Sequence, residues 1–450
     1  MKKISILLLI NVLSIHFLKA QSPVLDNYIK LGLDQNLTLK NENFELQKAL
    51  ENIAIAKANF SPKITFAPNY SLAAGGRRLE FPIGDLLNPV YSTLNQITKT
   101  TKFPQVENVN QLLAPNNFHD TKISFQYPVF NTDIQYNYLI QKELMNGVDA
   151  KRRILENEVR YNITLTYIQY LQALEGLKII GESKKILNEF VRFNQKLVNN
   201  NVATKDIVYA AEYEVAKLSQ QKAGLEKNRE MAKTYLNYLM NRDFSEDVEA
   251  DSNLIKTLPA IPELSTFRAD ALLNRNEINQ LKSGIKVGES LIKMQVLNAK
   301  RPQVFIGGNT GFQGFGYKFV GQAYLVAQVG LNFDLYHGNE KSHKIQLAKI
   351  NNNQLEAKKT EVEKQIELQV SQAYFELEAA SKSLEAAKEG IIKAGKTLQF
   401  VASKYRNGQA LYIEYLKAQN DDFVAKLTES VGRYDIWAKK AMLDKVVAVK

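Results

Sequence analysis

Cysteine is absent from all 450 residues. That absence excludes disulfides, thiolate zinc sites, a cysteine nucleophile and a lipidated amino-terminal cysteine. Histidine is scarce, at four residues, and His119, His337 and His343 show no metal-ligand spacing. No apolar run outside the first 20 residues is long enough for a membrane-spanning helix, and the mean hydropathy is mildly negative. With 11 prolines and 22 glycines the chain is neither collagen-like nor of low complexity. The glycines Gly307, Gly308, Gly311, Gly314, Gly316 and Gly321 lack the following Gly-Lys-Ser/Thr of a phosphate loop, and a flexible outer loop is expected there. No catalytic triad or carboxylate pair stands out, so the reading is of a non-enzyme without metal or cofactor. Acidic residues are in deficit, 47 against 58 Lys and Arg, for a net charge of +11. Such a surplus can mark a nucleic-acid partner.

The destination argues against nucleic acid. Residues 1–20 read as a secretory signal peptide: Lys2 and Lys3, an apolar core from Ile4 to Leu18, and a small residue, Ala20, at the expected cleavage point. Removing them takes Lys2, Lys3 and Lys19 and leaves a charge of +8. The surplus then reads as solvated helix faces.

What is present repeats. A helix-like stretch ends at Ser61-Pro62, and another at Arg301-Pro302, 240 positions later. Alternating segments follow: Ile64 and Phe66 in one copy, Val304 and Ile306 in the other. A second alternating pair is Ile123, Phe125, Tyr127 and Val129, and Leu325, Val329, Leu331 and Phe333. Period-two alternation predicts strands with one apolar face. The first copy carries 34 extra residues in its hairpin loop, about 72–121, which is assigned to an exposed tip where Leu86, Leu87, Val90, Tyr91 and Leu94 pack on the loop itself or on a neighbour. Each second strand runs into a long proline-free helix, expected over 144–198 and 345–405. The later one carries a heptad: Val370, Leu377, Leu384, Ile391, Leu398 and Tyr405 on one seam, Ile366, Ala373, Ala380, Ala387, Ala394 and Val401 on the other. Short polar turns end both helices, at Asn199-Asn200-Asn201 and Arg406-Asn407-Gly408, and return helices follow. Asn200 is placed opposite Gly408 as the left-handed residue of its turn. The expected organisation is a signal at 1–20, a first repeat at 21–240, a linker at 241–264 and a second repeat at 265–450.

Alternating strands in an exported chain without a spanning helix predict a membrane β-barrel. Four strands cannot close one, since the smallest need about eight. Several copies are therefore required. Tyr127, Phe130, Phe333 and Tyr336 sit at strand ends, where an interfacial aromatic girdle is expected.

With its duplicated hairpin–long helix–turn pattern, its Ser61-Pro62 and Arg301-Pro302 helix ends and its Gly408…Glu414…Ala418 turn, the chain resembles the TolC family of outer-membrane efflux proteins. The resemblance implies an α+β membrane protein. Three chains of four strands each would form a 12-stranded β-barrel, continued by a periplasmic α-helical coiled-coil barrel, with an internal two-fold repeat. It implies a homotrimer in outer-membrane lipid of a Gram-negative bacterium, working with a periplasmic adaptor and an inner-membrane transporter. Adaptor contact falls on the turns, at Asn199, Asn200, Asn201, Arg406, Asn407 and Gly408. A closing latch falls on Tyr405 and Asp206, and an acidic constriction on Glu414. A family arginine near the latch is replaced by Ala410, and a second family acid by Lys417, with Asp421 and Asp422 one turn on. The function so implied is an exit duct for small molecules. The outer-membrane part of type I protein secretion and a pore-less periplasmic scaffold are the alternatives.

Overall fold

The computed structural model describes residues 22–251, 253–255, 258–259 and 261–449. The expected signal segment 1–20 lies outside them. In chain order the elements are α1 (Pro23–Gln35), α2 (Leu37–Ala58), β1 (Lys63–Ser71), β2 (Arg78–Phe81), α3 (Ile83–Thr98), β3 (Val109–Leu112), β4 (Phe118–Phe130), α4 (Thr132–Asn199) and α5 (Asp206–Leu239). The order then recurs without the insertion: α6 (Leu264–Asn274), α7 (Asn276–Asn298), β5 (Gln303–Phe315), β6 (Ala323–Asn332), α8 (Glu340–Arg406) and α9 (Tyr412–Val447). The elements form two compact units. The first comprises the described parts of Met1–Ala49, Glu143–Lys286 and Asn352–Lys450; the second comprises Leu50–Lys142 and Val287–Asn351.

The long helices exceed their expected spans. α4 has 68 residues and α8 has 67, which at 1.5 Å per residue is about 100 Å each. The pattern of apolar residues alone placed their starts about a turn or more too late. α4 begins directly after its strand because the Asn131 side chain accepts the Ile134 N–H (3.1 Å) and caps the first turn.

In the helical unit, the α8 heptad is buried over its first half. Ile366, Val370, Ala373, Leu377, Ala380 and Leu384 pack with Phe267 and Ala271 of α6 and Ile436 and Leu443 of α9. From Ala387 to Tyr405 the same seam is only half-buried. A second core gathers α1, α4 and α5 around Ile163, Tyr167, Leu236 and Met240. The segment after α5 is stitched onto it by tyrosine hydroxyls. Tyr167 donates to the Glu249 carbonyl (3.1 Å) and accepts the Asp251 N–H (2.8 Å). Tyr170 donates to the Val248 carbonyl (3.1 Å), and Tyr28 accepts the Glu249 N–H (2.8 Å).

The other unit holds an antiparallel sheet in the order β1-β4-β5-β6. Register places Ile64 opposite Phe125, Phe125 opposite Gly308 and Gly308 opposite Ala327; the next row is Phe66, Ile123, Thr310 and Leu325. One face is therefore apolar. The other carries Thr65, Ser124, Asn309 and their polar neighbours. This chain leaves the apolar face open: Ile64 is 69% exposed, Phe66 66%, Leu325 78% and Val329 75%. β1 and β6 are free edges. Tyr127 and Phe333 lie toward one end of this face. At the other end Tyr70, Phe312, Tyr317 and Phe319 gather over the buried His119, whose ring lies 4.6 Å from that of Tyr317 and whose Nε2 meets Gln322 Oε1 at 2.6 Å.

The expected flexible glycine loop is corrected here. Gly307, Gly308 and Gly311 lie inside β5, paired on both sides, and Gly314 lies there paired with His119 of β4. A Cβ at Gly308 would overlap the Val326 carbonyl oxygen, and one at Gly311 that of Thr121. Glycine here admits close backbone approach. Gly316 and Gly321, both with positive φ, form the turn beyond.

The 72–121 loop is a built insertion, and its last four residues already belong to β4. β2 and β3 pair antiparallel, and α3 is tied to the chain that follows it. Asn88 makes a two-way pair with the backbone of Val106 (2.8 and 2.9 Å), and Asn95 does so with Phe103 (2.8 and 3.1 Å). Asn108 Oδ1 accepts the Gly84 and Asp85 N–H groups (2.8 and 3.1 Å) and caps the helix.

Candidate functional site at the helix turns

The two turns between long and return helices are near copies. In the second, the Gly408 N–H donates to the Tyr405 carbonyl (3.0 Å) and the Gln409 N–H to the Lys404 carbonyl (2.8 Å). In the first, Asn201 donates to Val198 (3.0 Å) and Val202 to Leu197 (2.8 Å). Gly408 has φ +71 and Asn201 φ +58. The left-handed residue opposite Gly408 is therefore Asn201, and Asn200, expected there, closes the last ordinary helical turn onto Lys196 (3.1 Å). Three consecutive asparagines have equal local preference, so only the hydrogen-bond register distinguishes them.

Asn199, Asn200, Asn201, Arg406, Asn407 and Gly408 are all exposed. Apolar neighbours are exposed with them: Val202 at 70%, Leu411 at 67% and Ile413, which the sequence reading passed over, at 63%. Their signal was available, as apolar residues within otherwise polar turns.

Behind the turns lies an aromatic cluster. Phe190 stacks on Tyr415 at 4.1 Å and on Tyr412 at 5.6 Å, and Tyr405 lies 5.3 Å from Phe190. Ala211 of α5 is fully buried among them. Burial pushes the Tyr405, Tyr412 and Tyr415 hydroxyls above the ordinary tyrosine range, so all three stay neutral at physiological pH. Asn194, itself fully buried, ties three helices. Its Oδ1 accepts from the Tyr405 hydroxyl (3.0 Å), and its Nδ2 donates to the Ile207 carbonyl (3.3 Å).

Tyr405 thus pairs with Asn194 in this structure. Asp206 is exposed at the start of α5 and accepts from the Thr204 hydroxyl. Glu414 is exposed, and its carboxylate accepts the Leu411 N–H (3.1 Å), half of a capping box at the start of α9. Of the two further acids, Asp421 is exposed, while Asp422 is buried and ion-paired with Lys426 (2.7 Å). No group of three or more His, Asp or Glu residues could hold a metal ion among the described residues, and no described helix is long and apolar enough to cross a membrane.

The model of the family described as "Outer membrane efflux protein" matches residues 270–448. Over nearly the whole chain the backbone superposes on solved outer-membrane channels. The outer-membrane channel OprN gives a TM-score of 0.77 at 14% identity, covering 96% of this chain and 91% of its own. The chain has the fold of an outer-membrane efflux channel. VceC of Vibrio cholerae shares that fold at TM-score 0.74 and 13% identity, covering 94% and 95% of the two chains. The open-state MtrE channel of Neisseria gonorrhoeae shares it at 0.74 and 15%, covering 94% and 89%. In sequence, the chain is 29% identical over 108 residues to the outer membrane efflux protein BepC of Brucella suis biovar 1 (strain 1330); that stretch is 24% of each protein. The resemblance to TolC-type efflux proteins read from the sequence is borne out, as is its α+β fold with a four-stranded sheet and long helices in two copies.

Proposed function

We propose that this protein is the outer-membrane exit duct of a tripartite efflux system in a Gram-negative bacterium. It passively conducts small molecules delivered by an inner-membrane transporter through a periplasmic adaptor. One observation carries the reading: a four-stranded sheet with an apolar face open to its surroundings and two unpaired edges. In water that face and those edges are an aggregation hazard. In a bilayer the edges must be closed, because each unpaired backbone group in lipid costs several kcal/mol. Three copies supply twelve strands, enough for a barrel. The same face counts against a pore-less periplasmic scaffold, and the efflux proteins among the relatives favour small-molecule export over protein secretion.

The helices of the two structural repeats, 21–240 and 265–450 with the linker 241–264 between them, would line the periplasmic tunnel. The exposed turn residues from Asn199 to Val202 and from Arg406 to Leu411 would meet the adaptor. Asn194 and Tyr405 would hold the resting tip closed, with Asp206 free to accept a partner as the helices move. Glu414 would present its charge to the pore while capping α9. The test is reconstitution. Detergent-extracted protein should migrate as a heat-modifiable trimer and conduct ions in planar bilayers, and cells lacking it should accumulate efflux substrates. A water-soluble rod without conductance would overturn the reading.

A further inference from the structure

The insertion between β1 and β4 presents an apolar ridge that its own chain leaves uncovered. Leu86 (62% exposed), Val90 (52%) and Ile97 (73%) recur along one side of α3 and form it. The opposite side of α3 is occupied by the Asn88 and Asn95 pairs, and Tyr91 lies on Phe103 at 5.7 Å, so the ridge is preformed. A second uncovered apolar feature is the turn joining β5 to β6, where Val320 is 95% exposed and Tyr317 53%.

Topology brings these two features together in an assembly. The insertion springs from the end of β1 at Ser71, and β1 is a free edge. Ser71 pairs with Phe118, Phe118 with Phe315, and Phe312 with Ala323, so the end of β1 and the start of β6 lie at the same end of the sheet. When the β6 edge of one copy closes against the β1 edge of the next, the first copy's β5–β6 turn arrives beside the second copy's insertion. Charge permits the contact. Asp85 is the sole ionisable acid or base on α3 apart from Tyr91, and Lys318 is the sole charged residue of the 316–322 turn.

We propose that the α3 ridge is a docking surface for the β5–β6 turn of an adjacent copy of this chain, a latch across each seam of the barrel's outer rim. The proposal rests on the trimeric reading above.

The absence of cysteine makes the test clean. The double variant Val90→Cys/Val320→Cys is treated in isolated outer membranes with a short bis-maleimide. A covalent ladder ending at the trimer is expected, with each single-cysteine variant giving at most traces. Four results overturn the latch: no ladder while lysine-reactive crosslinking still yields trimer; a link confined to the monomer; a Val90→Cys ladder equal to that of the pair, meaning that ridge meets ridge; or quenching of a fluorophore at Val90→Cys by spin-labelled lipid, meaning that the ridge lies in the bilayer. Failure of the lysine-reactive control to give trimer would instead overturn the trimeric reading, and the latch with it.

Discussion

At the scale of single residues, the turn region is organised by a buried amide. Asn194 satisfies both the Tyr405 hydroxyl and the Ile207 carbonyl at zero exposure. Asn194→Ala removes both hydrogen bonds and leaves the half-buried Tyr405 hydroxyl without its partner, while the Ile207 carbonyl keeps its place in the α5 helix; the expected loss is about 1 kcal/mol. Asp206→Asn touches an exposed side chain and should stay within about 0.5 kcal/mol. Denaturant melts of the two variants, paired with single-channel recordings, check this: closed-state leak should rise for Asn194→Ala and remain near the parent value for Asp206→Asn. Equal leak in both variants would assign the clasp to neither residue. Asn194 was not legible in the sequence, since a lone asparagine in a long helix looks like any solvated position; its meaning comes from what α5 and α8 bring to it. The tyrosine stitches give a pH prediction. Burial raises the Tyr167 hydroxyl from 10.0 to about 12. A group raised on folding contributes stability that is complete below its unfolded value and is lost as pH rises through its folded value. The Tyr167 contribution should therefore be intact below about pH 10 and gone above about pH 12, when the phenolate can no longer donate to Glu249. Alkaline titration followed by circular dichroism should show the window shifted in Tyr167→Phe.

At the scale of elements, close packing falls where small residues are required. Ala373 and Ala380 are buried in the first half of the α8 seam, while Ala387 and Ala394 are half-buried. Ala380→Leu overpacks a filled site and should cost about 1–3 kcal/mol. Ala387→Leu should cost less in the monomer, and a comparison of thermal melts decides. The long helices and the strands of the four-stranded sheet were legible because each obeys a period: seven for the α8 seam, two for Ile64–Phe66 and Ile123–Val129. The β5 glycines were misread because glycine signals loops by composition; in β5 it answers to neighbouring carbonyls, a tertiary demand with no local trace. α3 was read as loop because Pro89 and the surrounding asparagines mask its repeat, although Leu86, Val90 and Leu94 recur at helical spacing. Asparagines that look like turn formers serve there as backbone mimics, pairing with residues 8 and 18 positions away.

At the scale of the whole molecule, the sheet makes sense only in company. Its open face predicts a depth-dependent penalty for charge. Leu325, in the row midway between the two aromatic ends, points to the apolar side, and Val326 to the polar side. Leu325→Arg should destabilise the assembled barrel by about 2–4 kcal/mol, and Val326→Arg by much less. The fraction of heat-modifiable trimer recovered from outer membranes measures the difference, and equal recovery would mean that the face does not meet lipid. Arithmetic on strands required only that several copies contribute, and the number three came from the resemblance, because nothing within one chain shows how its edges are closed. Those edges have a genetic corollary. In the proposed ring every seam is needed, and each would take β1 from one copy and β6 from another, the two edge strands of the sheet. One subunit with a ruined edge therefore spoils any ring it enters. With equal expression of intact and damaged chains, random assortment leaves about one trimer in eight wholly intact. Lesions in β1 or β6 that spare export and folding should thus behave as dominant alleles, and lesions that prevent the chain from reaching the membrane as recessive ones.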